Sequence, residues 1–355
     1  MTFPETMCAM VTMGHGGLDQ LQWREDWPRP VPQKGEVLVR VKACGLNNTD
    51  INTRVGWYSQ GISSTASGND QQDPSWGGAP ISFPRIQGAD ACGEIVDVGP
   101  GVSKSRIGAR VITDNWLRDP TCPGNKGKAA YFGSECDGGF AEFTCLPNEN
   151  AVQVRSGLRD AELATFSCSF STALGMLTRA EVGDADTVLI PGASGGVGGA
   201  LVQLAKLRGA RVIAMASASK HAAVAELGPD LILPRAPEDL RAALGDERVT
   251  VVADVVGGPG WPALVDVLER GGRLTCSGAI AGPHVNFDLR TFYLRDLTFT
   301  GSTVTDPSVM RTLVNHIEAA ELRPLLAASF PLKELAAAQT AFAEKTHAGN
   351  IVVLP

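Results

Sequence analysis

Asp186-Thr187-Val188-Leu189-Ile190-Pro191-Gly192-Ala193-Ser194-Gly195-Gly196-Val197-Gly198-Gly199-Ala200-Leu201-Val202-Gln203-Leu204-Ala205 decides the fold of this 355-residue chain. Residues 186–191 are an apolar run that reads as a strand, and 197–208 reads as a helix. The glycines lie where the strand gives way to the helix. A lone glycine motif says little, but inside a strand–turn–helix unit it points to a dinucleotide. A side chain at Gly195 would hold a pyrophosphate away from the backbone, and Gly198 lets the helix press on the sheet. The helix N-terminus adds free N–H groups and a partial positive charge. Ser194, Gly195, Gly196, Val197 and Gly198 are therefore candidate cofactor contacts.

The pattern continues on both sides of this loop. A helix is expected over 161–180, strands over 211–216, 231–233, 249–256 and 272–277, and helices over 220–227 and 261–268. Alternating strands and helices imply a doubly wound parallel sheet. The mostly apolar run 249–256 suits a central strand covered on both faces. Helices over 309–321 and 332–344 and a strand over 351–354 end the chain. The first 150 residues differ. Short strands at 37–43, 92–99, 108–113 and 140–146, punctuated by Gly and Pro, suggest a small barrel or sandwich. Two long stretches break that rhythm: 59–84 with Trp76, and 115–139 with Trp116, Tyr131 and Phe132. Their length predicts lids or pocket walls.

The choice of dinucleotide turns on the strand after the glycine loop. NAD binders place an acid at its end, to accept from the ribose 2′-hydroxyl. Here the stretch reads Ala216-Ser217-Ala218-Ser219-Lys220, with small hydroxyls and a cation instead. Lys220 would attract a 2′-phosphate, and Arg235 after the next strand offers a second contact. NADPH is the expected cofactor, with Ser217, Ser219, Lys220 and Arg235 as contacts.

Composition excludes several other classes. The chain has 31 Lys and Arg against 38 Asp and Glu, a net charge of −7, so duplex nucleic acid is not an expected partner. Residues 1–6 have neither the basic nor the apolar region of a signal peptide, and no uninterrupted apolar stretch suggests a membrane span. Eight cysteines are scattered without a paired motif, as in a reduced, cytoplasmic protein. The expected partner is a small-molecule substrate.

Taken in order, a series of motifs resembles the medium-chain dehydrogenase/reductase superfamily. They are Val41-Lys42-Ala43-Cys44-Gly45-Leu46-Asn47-Asn48-Thr49-Asp50, Gly88-Ala89-Asp90-Ala91-Cys92-Gly93-Glu94, Gly138-Gly139-Phe140-Ala141-Glu142-Phe143, Cys168-Ser169-Phe170-Ser171-Thr172-Ala173, the glycine loop, Asp254-Val255-Val256-Gly257-Gly258 and Gly349-Asn350-Ile351-Val352-Val353. The resemblance covers nearly all of residues 8–355. It implies an α/β fold: a GroES-like β-rich catalytic domain from 1–156 and 304–355, plus a doubly wound Rossmann domain over 157–303. The active site would lie in the cleft between them.

The departures from the family pattern bear on chemistry. Zinc alcohol dehydrogenases have Cys where this chain has Asn47 and His where it has Ala89; only Cys168 remains of the three ligand positions. A catalytic zinc needs three protein ligands, so no metal is expected; the competing idea, a rearranged site using Cys44, Cys92 or Asp90 with Cys168, is met more simply by ordinary core cysteines. Zinc can lower a bound water's pKa from 15.7 to about 7. That is about 12 kcal/mol at 1.36 per unit. Without that help a simple alkoxide is hard to make, whereas a quinone or enone spreads the incoming charge onto a conjugated oxygen that hydrogen bonds can stabilise.

The resemblance thus narrows to zinc-independent quinone oxidoreductases and enoyl reductases, and implies an NADPH-dependent reductase. By that similarity Tyr58, in Gly56-Trp57-Tyr58, is the candidate proton donor, and Asn47 would hold the substrate carbonyl or the nicotinamide side. Thr172 matches the Thr under the nicotinamide. Ser277, Gly278 and Ala279 end the strand beside its carboxamide, and Lys345 falls where relatives have a basic residue near the 2′-phosphate. Two alternatives stay open: an NADP-dependent alcohol or carbonyl oxidoreductase, and a non-catalytic nucleotide-binding protein of crystallin type. Relatives often pair the last Rossmann strand across a twofold axis, so a homodimer, or a dimer of dimers, is expected through Leu297-Thr298-Phe299-Thr300-Gly301.

Overall fold

A computed structural model of the chain describes residues 3–58, 81–122 and 124–355. Most of the 59–84 stretch, including Trp76, lies outside the described residues.

Six parallel strands form the sheet around the glycine loop. Their order across the sheet is Leu231–Pro234, Arg211–Ala216, Thr187–Pro191, Val249–Asp254, Leu268–Cys276 and Thr298–Gly301. The first strand in sequence sits beside the fourth, so the order reverses between Thr187–Pro191 and Val249–Asp254. Crevices at such switch points, beyond the carboxyl ends of the strands, are where α/β sheets take ligands. Alternation explains the apolar runs. Val188, Ile190, Val212, Ala214, Val251 and Ala253 enter one core with the helices Ser167–Arg179, Gly196–Leu207 and Pro307–Glu318. Leu189, Ile213, Met215 and Val252 enter another with Leu240–Leu244 and Trp261–Asp266. A strand residue points opposite to its neighbour, so a strand covered on both sides must be apolar throughout.

The second large sheet joins the two ends of the chain. It runs Ala151–Gln153, Arg110–Thr113, Asp90–Val98, Glu36–Gly45, Asn350–Leu354 and Leu326–Pro331, with Phe143–Pro147 paired to Glu36–Gly45. The terminal strand is antiparallel to Glu36–Gly45, Val353 opposite Cys44. Cys44 and Phe140 are fully buried in this core, and so is Phe132, which is therefore core and not a pocket wall.

Several elements differ from expectation. The helix expected over 161–180 is two helices, Asp160–Leu163 and Ser167–Arg179. Strand Glu36–Gly45 presses on the break: a Cβ on Gly45 would lie 3.4 Å from the Ala164 carbonyl carbon. Asn350 Nδ2 then donates to the Thr165 carbonyl at 3.0 Å. The strand expected to 256 stops at Asp254, whose carboxylate accepts from the N–H groups of Val256 and Gly257 and turns the chain. The 115–139 stretch is not a bare loop. Trp116–Leu117 and Ala130–Tyr131 pair as a short antiparallel ribbon. Among the described residues no helix is long and apolar enough to cross a membrane.

Candidate active site

At the glycine loop, Gly192 has φ +68°, a left-handed turn that glycine adopts without strain. A Cβ on Gly198 would lie 2.7 Å from the Gly192 carbonyl carbon and 2.8 Å from Ala193 Cα, so the helix meets the turn with no room for a side chain. Gly195 caps the helix, which carries Val197 and Gly198 in its first turn, and a Cβ on Gly195 would meet nothing nearer than 3.5 Å. No atom of the chain thus forbids a side chain at Gly195. The Ser194 carbonyl accepts from Gly349 N–H at 2.8 Å, which ties the loop to the terminal strand. Across the switch point, Ser277 Oγ donates to the Ser302 carbonyl at 2.5 Å. Gly278 and Ala279 pack on the turn after Asp254: a Cβ on Gly278 would lie 3.0 Å from the Val255 carbonyl oxygen.

Beyond the strand Arg211–Ala216, cations gather. Ser217 Oγ lies 3.4 Å from Ser219 Oγ. Lys220 Nζ donates to the Lys345 carbonyl at 2.5 Å, and Lys345 Nζ donates to Asn48 Oδ1 at 2.9 Å while lying 3.5 Å from the Phe342 ring centre. Lys345 itself has φ +53° at the end of helix Leu335–Glu344. Burial, then the Arg235 charge, lowers the Lys220 pKa, and burial, then Lys220, lowers that of Lys345 to about 8. Burial, then both lysines, lowers His347. The charges acting on the two lysines are those of other cations. The structure therefore brings together Lys220, Arg235 and Lys345, which the sequence separates by up to 125 residues. It adds His347, which sequence reasoning missed because nothing local marks it.

A second cluster forms where helix Asn48–Arg54, strand Asp90–Val98, the 115–131 ribbon and helix Ser167–Arg179 meet. Asp90 Oδ1 accepts from Cys168 N–H at 2.9 Å and from Asn115 Nδ2 at 3.0 Å. Asp50 Oδ2 accepts from Asn47 N–H at 2.7 Å. Both carboxyls are buried. Burial chiefly raises Asp50 to about 7, helped by the Asp90 charge and opposed by the N–H groups of Asn47 and Gly88. Burial likewise raises Asp90 to about 6, against the Asn47 and Asn115 dipoles and the Cys168 N–H.

Asn47 Nδ2 is buried with no partner at hydrogen-bond distance among the described residues, though its dipole still favours the ionised Asp90 nearby. Such an orphan donor costs about 1–3 kcal/mol, so it marks a place where a ligand acceptor would fit. Tyr58 is half-buried; burial raises its pKa, hydrogen bonds from Thr49 and Asn52 lower it, and Cys168 and Asp50 act on it through space. Thr172, one turn beyond Cys168, lies close enough to the Cys168 thiol to lower its pKa against the rise that burial causes. Asn47, Tyr58 and Thr172 thus lie around Asp90 and Cys168. Asp50 carries no local signal of function, and the sequence marks Asp90 only as a ligand in a rearranged metal site and Tyr131 only as a pocket wall.

The positions of the three zinc ligands carry Asn47, Ala89 and Cys168. Ala89 is 1% exposed and packs against Trp116, Ala129 and Tyr131, which fill the space of a larger side chain. Among the described residues no group of three or more His, Cys, Asp or Glu is placed to hold a metal ion. A single thiol does not fit a catalytic zinc. The glycine loop and the cation cluster do fit a phosphorylated dinucleotide.

Comparison with known proteins agrees with this architecture. Residues 33–156 match the model of the alcohol dehydrogenase GroES-like domain, and 196–319 that of the zinc-binding dehydrogenases. An acryloyl-coenzyme A reductase of Metallosphaera sedula is 26% identical over 98% of this chain and 99% of its own. A chloroplastic NADPH-dependent alkenal/one oxidoreductase of Arabidopsis thaliana is 26% identical over 100% of this chain and 81% of its own. A solved protein of Sinorhizobium meliloti 1021, assigned to the alcohol dehydrogenases, is 44% identical with a TM-score of 0.92, over 99% of this chain and 98% of its own. Matched over almost its whole length in sequence and in fold, the chain belongs to the medium-chain dehydrogenase/reductase superfamily of nicotinamide-dependent oxidoreductases.

Proposed function

We propose that the protein is an NADPH-dependent reductase of activated acceptors, enones, enoyl thioesters or quinones, that works without a catalytic metal. The observation that carries this reading is the donor set at the zinc position: Asn47 with an unpartnered Nδ2, Ala89 and Cys168. Such a site offers a hydrogen bond where zinc relatives offer a Lewis acid. A conjugated acceptor needs no more, because its charge is delocalised onto oxygen.

Bound NADPH supplies the hydride equivalent. Ser194 to Gly198 would hold its pyrophosphate on the helix N-terminus, with Ser217, Ser219, Lys220, Arg235 and Lys345 around the 2′-phosphate. Thr172 and Ser277 to Ala279 would flank the nicotinamide. Asn47 Nδ2 would donate to the acceptor's carbonyl oxygen. The phenol of Tyr58, kept protonated by burial, would return a proton to the substrate. The division into 1–156 with 304–355 and 157–303 belongs to this reading; the pairing of Asn350–Leu354 with Glu36–Gly45 supports it. So does the similarity to acryloyl-coenzyme A and alkenal/one reductases.

Stopped-flow NADPH oxidation against enones, enoyl thioesters and quinones tests the proposal, and turnover of none refutes it. A second reading, an NADP-dependent alcohol or carbonyl oxidoreductase, is favoured by the similarity to the Sinorhizobium protein. Preference for saturated ketones over every conjugated acceptor would establish it. Dimerisation through the sheet edge Thr298–Gly301 is part of the proposal too. Leu289, Tyr293 and Leu294 beside it are 68%, 60% and 57% exposed, an apolar patch that a second copy would cover.

A further inference from the structure

Removing the histidine of a zinc site leaves a hole, and here the chain fills it with a phenol. Tyr131 is 5% exposed, and its ring packs with Trp116 against Ala89, the two ring centres 4.7 Å apart. Its oxygen is held in a defined way. Asn115 Nδ2 donates to Tyr131 Oη at 3.2 Å and to Asp90 Oδ1 at 3.0 Å. The ionised Asp90 carboxylate can only accept, which points the amide nitrogen toward it and toward the phenol. One lone pair of the phenol is thereby committed, and its O–H lies close enough to the Cys168 thiol for each group to shift the other's pKa.

A thiol sulfur is a weak acceptor. A carbonyl oxygen gathering negative charge is a much stronger one. Asn47 Nδ2 stands nearby without a partner, close enough to act on the same Asp90 that Asn115 holds. We propose that Tyr131 is a further catalytic residue: on substrate binding its O–H turns from the Cys168 thiol to the acceptor's carbonyl oxygen, and with Asn47 Nδ2 forms a two-donor oxyanion hole at the zinc position. The inference rests on the acceptor-reduction reading above. Tyr131 gives a hydrogen bond and keeps its proton; the proton that completes the product comes from Tyr58 or water. Burial, which pushes the Tyr131 phenol well above its ordinary pKa, keeps it a donor at every working pH.

The test uses the full-length protein saturated with NADP⁺ and 4-nitrophenolate, a delocalised anion that cannot be reduced by it. Its affinity is read from the shift of its absorption band. Tyr131→Phe keeps the ring against Trp116 and Ala89, so NADPH affinity and melting temperature should hold. The proposal expects nitrophenolate to bind the wild type, and Tyr131→Phe to weaken it at least tenfold. Where the wild type reduces an enone, kcat should fall about 100- to 1,000-fold, as on removal of one oxyanion donor. Equal nitrophenolate affinity in the two proteins overturns the proposal, as does no binding to the wild type. Because this readout needs no turnover, it separates the role of Tyr131 from failure of the acceptor panel. If Tyr131→Phe unfolds early, Asn115→Ser, which frees the phenol oxygen but keeps the ring, serves instead. A three- to tenfold weakening upholds the proposal and no change overturns it.

Discussion

Replacing Lys220 by alanine should cost NADPH affinity and leave NADH affinity alone. Arg235 acts on Lys220, and Lys220 on Lys345, as like charges, with His347 beside the two lysines. Among the described residues no carboxylate acts on either lysine. On the proposed reading a 2′-phosphate would discharge this repulsion and accept from Lys220 directly. One charge-assisted hydrogen bond is worth about 1.5–3 kcal/mol. At 1.4 kcal/mol per factor of ten, that is about 10-fold to about 140-fold in the dissociation constant. Lys220 is partly exposed, so solvent screening favours the lower part of that range, about 10- to 30-fold. Loss of Lys220 also relieves Lys345, which strengthens that remaining cation and again limits the effect. Fluorescence titration of wild type and Lys220→Ala with both dinucleotides reads the result. NADH, lacking the phosphate, should bind both proteins equally. Equal weakening toward both dinucleotides, or toward neither, refutes the reasoning, and so does a wild type that prefers NADH.

Gly198→Ala forces a methyl group onto the Gly192 and Ala193 backbone. It should cost about 1–3 kcal/mol of stability in a melting experiment, with weaker binding of both dinucleotides. Asn47→Ala removes an Nδ2 donor that has no hydrogen-bond partner among the described residues and a dipole that favours the ionised Asp90, while the contact to Asp50 uses the backbone N–H and stays. Enone kcat should drop about 100- to 1,000-fold while cofactor affinity holds; a proportional loss of stability instead would mark Asn47 as structural. The Lys345 pKa, lowered to about 8, sets a pH dependence. Phosphate binding raises a neighbouring lysine's pKa, so above about pH 8 binding must take up a proton and NADPH affinity falls as pH rises. Calorimetry in buffers of different ionisation enthalpy should show that uptake for NADPH and none for NADH.

How legible each part was depends on the distance over which it is built. The glycine loop is one strand–turn–helix unit, so Gly192 to Gly199 announced both the parallel sheet and its ligand edge. Strands near 189, 213 and 251 were readable because cover on two faces demands unbroken apolar runs. Leu21–Pro28 escaped notice, since its partner Thr6–Thr12 covers one side only and its sequence is LQWREDWP. Leu326–Pro331 is LAASFP and becomes a strand by pairing with Asn350–Leu354. Such tertiary rescue of weak propensity leaves no local trace.

The active site divides the same way. Asn47, Tyr58 and Thr172 could be named only because their motifs match those of the family. The meeting of Asp50, Asp90, Asn115, Tyr131 and Cys168 could not, because four separate segments create it. Lys345 was nameable only by family likeness, and its link to Lys220 is a product of the fold.

The central claim is reduction of a conjugated acceptor by hydrogen bonding in place of a Lewis acid. Its most direct test measures zinc content and enone-reductase rate on the same samples of purified protein, before and after exhaustive dialysis against a chelator. The account predicts an unchanged rate in protein that holds far less than one zinc per chain. A rate that falls in proportion to the zinc removed, and returns when zinc is restored, would contradict it.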